Sequence, residues 1–308
     1  MADQRTIETT ASARRLPKAR RQQSRSNGTR GEEAAQDKRQ GSLTAAYITL
    51  SIGGAVVVVP FVWELLTSLK TFNESMKTPP TYIPRTWDFP NYMEVFSQAP
   101  FLNMLAVSIG YALLLIIGHV GLGSLAAYAF ACLKFPGRDV IFFTLIALLM
   151  IPRQLFILPQ YEIVQWLGWT NSFWGLVAPH FVGVLAVFLL RQFFLSLPVE
   201  LTEAAKLDGA GPLRIYFFVL LPLAKPGLIA ATILVLIYSW NDLLWPLVIL
   251  NDDAKMPLTA GLATLQGEFF TDQPVVMAGA VLASLPMILA FLFLQRHFID
   301  GIAFSGGK

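Results

Sequence analysis

The chain has 308 residues, 55% of them hydrophobic and 14% charged, with a mean hydropathy of +0.55 and a formal net charge of +3. A soluble domain carries about a quarter charged residues, so this composition excludes a disordered protein, a nucleic-acid-binding domain and an ordinary soluble enzyme. One cysteine, Cys132, excludes an intrachain disulfide and a cysteine-built metal cluster.

Charge is unevenly placed. Residues 1–42 hold ten Lys/Arg and five Asp/Glu, whereas residues 43–308 carry a net charge of −2. The tail contains the basic run Arg14–Arg21 and almost no large apolar residue, so it cannot bury enough surface to offset its ordering entropy. It is expected to be a disordered, basic, cytoplasmic tail. Two roles are open for it: an arm on anionic lipid headgroups, or a solvated tail that only fixes orientation. A cleaved signal peptide does not fit, because the basic stretch is too long and the apolar run after it is of span length.

From Leu43 onward come charge-free stretches long enough to cross a bilayer. A helix needs about 20 mostly apolar residues to do so, and with no water for the backbone each stretch must be helical. The expected spans are 43–67, 103–132, 140–158, 173–195, 228–250 and 275–295. The third is the shortest, with Pro152 and Pro159 inside or beside it. Residues 43–308 are thus expected to form one all-α, six-span membrane domain with both termini on one side. With a cytoplasmic N-terminus, that side holds eighteen Lys/Arg and the other five (Lys70, Lys77, Arg85, Arg153 and Lys255). The positive-inside rule therefore places both termini in the cytoplasm. Trp87, Tyr92, Trp166, Trp169 and Trp174 fall near the outer span ends, as interfacial anchors do.

The connection between the fourth and fifth spans is more than a link. Pro198 suits a helix start and Glu200 the positive end of its dipole. Leu201, Ala204 and Ala205 share one face by spacing. Gly209 and Gly211 end the helix, and Pro212 can start another. The expectation is a short helix outside the membrane with a flat, small-residue patch beside Glu203. A plain surface helix tying two spans together would show the same features.

Several polar residues lie within expected spans, where a charge costs at least about 2.5–3.5 kcal/mol at mid-bilayer. Asn241 and Asp242 read either as part of a solute path, with Trp240 and Trp245 offering ring faces, or as a helix cap near Pro246 and a bond to a neighbouring span. His119 reads as an interhelical hydrogen-bonding residue. The three histidines, His119, His180 and His297, lie in distant segments, and no catalytic set assembles. A phosphate-binding loop needs Gly-x-x-x-x-Gly-Lys-Ser/Thr. The nearest approach is Gly301–Lys308, where Gly307 takes the lysine position. Any ATP-driven work must come from a partner.

Glu203-Ala204-Ala205, three residues, Gly209, nine residues, Val219, one residue and Leu221-Pro222 resemble the "EAA" loop of ABC importer permeases, with Val219 in place of the usual isoleucine. Ala126–Phe130 with Lys134–Arg138, Ile151-Pro152, Trp240–Leu247 and Gln295–Gly301 resemble the sugar-importer branch, in particular the maltose-type second permease. The resemblance covers about residues 43–308. It implies a permease that passes a sugar or related polyol across the bacterial plasma membrane. It implies coupling through Glu203, Ala204, Ala205, Asp208, Gly209 and Pro222 to two cytoplasmic ATPase subunits, which hold ATP and Mg; this chain holds no cofactor or metal. A second homologous permease, an extracytoplasmic solute-binding protein and membrane lipid are the further partners implied, and the C-terminal Ile302–Lys308 reaches toward the ATPases in such subunits. The rival readings are the same machine importing glycerol phosphate or another solute, a secondary transporter driven by an ion gradient, and a membrane-anchored assembly protein.

Overall fold

A computed structural model describes residues 46–266 and 271–305, with side chains as far as Gln295. The expected tail, residues 1–42, and the last three residues lie outside the described residues. Among the described residues every regular element is helical. The chain divides into two compact units at Val62/Trp63. The first contributes most of helix α1, Ala46–Ser68, whose apolar window buries none of its residues. A helix apolar all round and open to its surroundings is one built for lipid contact.

The second unit opens with a knot held by side chains. Lys70 is buried, donates from Nζ to the Thr81 carbonyl at 2.6 Å, and lies over the Trp63 ring at 4.3 Å. The Glu74 carboxylate accepts the Arg85 N–H at 3.0 Å and the Thr81 hydroxyl at 3.0 Å. Asn91 begins helix α2 (Asn91–Gln98), and its amide donates to the carbonyls of Ser68 and Lys70 at 2.9 and 2.8 Å. This stretch carries no apolar periodicity, so buried polar bonds fix it instead.

Helix α3, Phe101–Cys132, is the longest continuous apolar span, and it widens into a π-turn over Ile117–Leu122. The expected third span is broken: α4, Arg138–Leu148, and α5, Ile157–Trp166 with its leading turn from Arg153, are bent by 95°. Pro152 removes an N–H and bars the preceding residue from helical geometry, so the chain leaves the helix there. The fourth span is likewise two pieces, α6 (Phe173–His180) and α7 (Val184–Ser196), bent by 42°. The expected fifth span is corrected most. Its helical run starts earlier, with Pro212–Leu223 meeting Lys225–Trp240 at 78°, and it ends at Trp240 rather than at Leu250. Among the described residues three helices are long and apolar enough to cross a membrane, or up to six if each bent pair is one span.

After α7 come α8 (Val199–Leu207), α9 (Pro212–Leu223), α10 (Lys225–Trp240), α11 (Leu244–Ile249), α12 (Leu258–Thr264) and α13 (Gln273–Ser305). Three packed clusters hold the unit together. Tyr128, Phe142, Leu190, Phe194, Tyr216 and Leu220 join α3, α4, α7 and α9. Tyr111, Leu115, Val164, Leu176, Trp245 and Ile249 join α3, α5, α6 and α11. Met104, Trp240, Leu258, Leu262, Val275 and Ala278 join α3, α10, α12 and α13. Small residues let backbones approach: a Cβ on Gly227 would lie 2.6 Å from the Phe193 ring.

Candidate functional site

Helix α8 is short and largely exposed, and its end explains the glycine spacing. Gly209 has φ +76°, its N–H bonds to the Lys206 carbonyl at 3.0 Å, and the Ala210 N–H bonds to the Ala205 carbonyl at 2.9 Å. These two bonds and the left-handed residue make a Schellman stop, with Ala205 and Ala210 packed on the same core cluster. Ala205 and Gly209 are thus coupled by geometry: one anchors the last turn and the other reverses it. Pro212 sits at the first position of α9 and stiffens the exit.

The inward face of α8 does not follow the spacing of Leu201, Ala204 and Ala205. Thr202 and Ala205, spaced i, i+3, turn toward the core, whereas Leu201 and Ala204 are exposed and Leu207 is 90% exposed. The short apolar spacing alone could not decide which side met the bundle, because α8 has apolar residues on both. Glu203, Ala204, Asp208 and Gly209 stand on the open side. Pro222 is exposed, one turn beyond a π-turn at Tyr216–Leu220 and just before the sharp bend at Ala224. Tyr216 bonds the Ser124 hydroxyl at 2.7 Å, and the Tyr128 hydroxyl donates to the Pro212 carbonyl at 3.0 Å. These contacts tie the α8–α9 corner to α3.

The polar residues of the fifth span separate in the structure. Trp240 is buried and its indole N–H donates to the Ala283 carbonyl at 3.1 Å. Trp245 is 3% exposed and donates to the carbonyls of Gly175 and Leu176, each at 3.2 Å. Both indoles are thus tied to backbone carbonyls of neighbouring helices, and Trp245 also borders the cavity beside Asp242. The Asn241 amide turns back on its own helix, donating to the Ile237 carbonyl at 2.8 Å. That bond ends α10 as a cap does. Asp242 differs: its carboxylate accepts the Tyr111 hydroxyl at 2.9 Å, lies beside the Trp245 backbone N–H, and borders a cavity.

Helix breaks converge on this place. The turn at Arg153, the break at His180 and the opening at Asp242 line one cavity, and His180 also meets the π-turn of α3 through His119. Arg153, counted on the outer side near the end of the expected third span, lays its guanidinium over the Tyr238 ring at 4.1 Å. His119 Nε2 meets the His180 carbonyl at 2.7 Å, the interhelical bond its position suggested. A Cβ on Gly183 would overlap the His119 ring, so the two segments touch closely. Sequence reasoning missed Arg153, Tyr111 and Tyr238 as neighbours of Asp242. Arg153 and Tyr111 come from distant segments, with the proline-interrupted third span the only signal, whereas Tyr238 stands one helical turn before Asp242.

The description "binding-protein-dependent transport system inner membrane component" belongs to the family model that matches residues 119–303. The arabinooligosaccharides transport system permease protein of Halalkalibacterium halodurans is 33% identical over 266 residues, which covers 84% of this chain and 95% of that protein. The sn-glycerol-3-phosphate transport system permease protein of Pectobacterium atrosepticum is 33% identical over 277 residues, 87% of this chain and 99% of that one. A chain from the crystal structure of a bacterial ABC transporter involved in import of the acidic polysaccharide alginate superposes with a TM-score of 0.72 at 24% identity, covering 85% of this chain and 98% of that chain, a likeness of fold. This chain belongs to that family of inner membrane components. It is a permease of an ABC importer, of the branch holding sugar and glycerol-phosphate permeases, and works within a multi-subunit transporter as a transport component rather than an enzyme.

Proposed function

We propose that this chain is half of a translocation unit carrying a sugar or related polyol across the plasma membrane. Residues 43–308 form the permease domain, residues 1–42 are a solvated basic tail, and both termini are cytoplasmic. A second homologous permease completes the pathway and an extracytoplasmic binding protein delivers the solute. Two cytoplasmic ATPases bind ATP and Mg and push on α8, so this chain itself needs neither. The observation that carries the reading is the form of α8: a helix anchored inward by Thr202 and Ala205, locked by a Schellman stop, and open on the side of Glu203, Ala204 and Asp208. A rigid corner of this kind passes a displacement to α9 and α10 instead of absorbing it. Work is done only if the closed ATPases favour one arrangement of the spans over the other.

Gly209→Pro removes both the positive φ and the N–H that bonds Lys206, and Glu203→Lys reverses the charge on the open face without touching the core. Both variants should insert at wild-type levels and lose binding-protein-stimulated ATP hydrolysis and uptake. Wild-type uptake in Glu203→Lys would remove the case for coupling through α8.

A further inference from the structure

Asp242 and Arg153 border one cavity of about 150 Å³, walled on its apolar side by Ile157 and Leu244. A second lobe of about 150 Å³ shares Arg153, Gln160 and His180 with it. The two charges do not neutralise each other by contact, since among the described residues no carboxylate lies within ion-pair distance of Arg153. The Arg153 guanidinium lies over the Tyr238 ring and hydrogen-bonds its hydroxyl, and with five N–H donors it keeps donors beyond that one bond. Asp242 accepts the Tyr111 hydroxyl and the Trp245 backbone N–H, and a carboxylate with about four acceptor positions keeps capacity toward the cavity. Gln154 and Gln160 each add both donors and an acceptor.

From this arrangement we infer that the Arg153–Asp242 cleft is a solute subsite for one ring of a neutral, hydroxyl-rich sugar. Each sugar hydroxyl both donates and accepts, so adjacent hydroxyls bridge a guanidinium and a carboxylate that are held apart. The C–H face of the ring rests against Ile157 and Leu244. The volume suits one ring: sites that enclose whole ligands run to about 300–1,000 Å³. An anionic solute is disfavoured. A unit charge in the cleft is attracted by the cation and repelled by the anion. Arg153 and Asp242 are the charged residues lining the cleft among those described, so the two effects cancel and the anion's desolvation is left uncompensated. The inference rests on the permease reading above and narrows its solute.

The test uses the intact transporter in membrane vesicles, with Gln154→Cys as the reporter and the native Cys132, in another cluster, as internal reference. Leu244→Cys on the opposite wall is a second reporter. The rate of labelling by a neutral maleimide is measured with arabinotriose or with sn-glycerol 3-phosphate. At about ten times Kd a bound ring leaves about one site in ten open, so arabinotriose should slow labelling about tenfold while Cys132 is unchanged. Glycerol 3-phosphate should give no protection. Adding Asp242→Asn leaves Arg153 unopposed and should reverse the preference. Absence of protection by arabinotriose at both reporters, or equal protection by the anion in the Asp242 protein, overturns the inference. ATP hydrolysis by the same vesicles is read separately: protection without binding-protein-stimulated hydrolysis would fault the coupling reading and leave the subsite standing.

Discussion

Two glycines three residues apart in the π-turn of α3 should respond to alanine with opposite signs. A Cβ on Gly118 would fall on the carbonyl of Phe181, in the break between α6 and α7, whereas a Cβ on Gly121 meets nothing within 4 Å. The obstacle at Gly118 is backbone and cannot rotate away, so the segment carrying Phe181 must move. Forcing an extra methyl into a packed site costs typically about 1–3 kcal/mol, and an immovable neighbour puts this one at the upper end. Alanine returns up to about 1 kcal/mol of helix propensity, leaving a net loss of about 2 kcal/mol for Gly118→Ala. Gly121→Ala keeps the gain alone. At roughly 2–4 °C per kcal/mol for a unit of this size, Gly118→Ala should melt about 4–8 °C below wild type and Gly121→Ala up to about 4 °C above it. Thermal melts of the purified complex in one detergent, followed by monodispersity, measure both. A Gly118→Ala protein that melts at or above the wild-type temperature would refute the close approach of α3 to the break after His180.

Trp240→Phe should cost about 2 kcal/mol, because the bond to the Ala283 carbonyl is lost and the smaller ring leaves a cavity in the packed cluster. The concentration dependence of arabinotriose protection should not change in that variant; a tenfold weakening would restore Trp240 as a solute platform. Glu74 supplies a pH dependence. Burial raises its carboxyl, but the Arg85 N–H and the Thr81 hydroxyl outweigh that and hold it below the usual value of 4.5. A depressed folded pKa contributes stability that is fully present above the unfolded value and is lost as pH falls through the folded one. Hydrogen exchange over residues 70–91 should therefore be flat from neutral pH down to about 5 and rise only below 4.5, after correction for intrinsic rates. In Glu74→Gln that acid step should vanish, and its persistence would show that another group orders the segment.

Hydropathy and punctuation carry the membrane class, the helical fold and the α8 corner. Long charge-free runs admit only helices in lipid, and Ala205, Gly209 and Pro212 stand at the spacing a Schellman stop and a fresh helix start require. These are local matters, decided within a few residues, so the sequence alone suffices. Where each polar side chain points is not local. Trp240 and Trp245 read as a matched pair flanking Asn241 and Asp242. Yet α10 ends at Trp240, and both indoles turn to carbonyls of distant helices, Ala283 in one case and Gly175 with Leu176 in the other. Arg153 fell within an expected straight span, and the 95° bend after α4 carries it to Tyr238. The bend is written in Pro152, but its direction is set by what α5 packs against. Only the assembled bundle brings Arg153, Asp242 and His180 to one cavity, with Tyr111 bonded to Asp242 behind it, because each comes from a different segment and nothing within any one segment specifies the others.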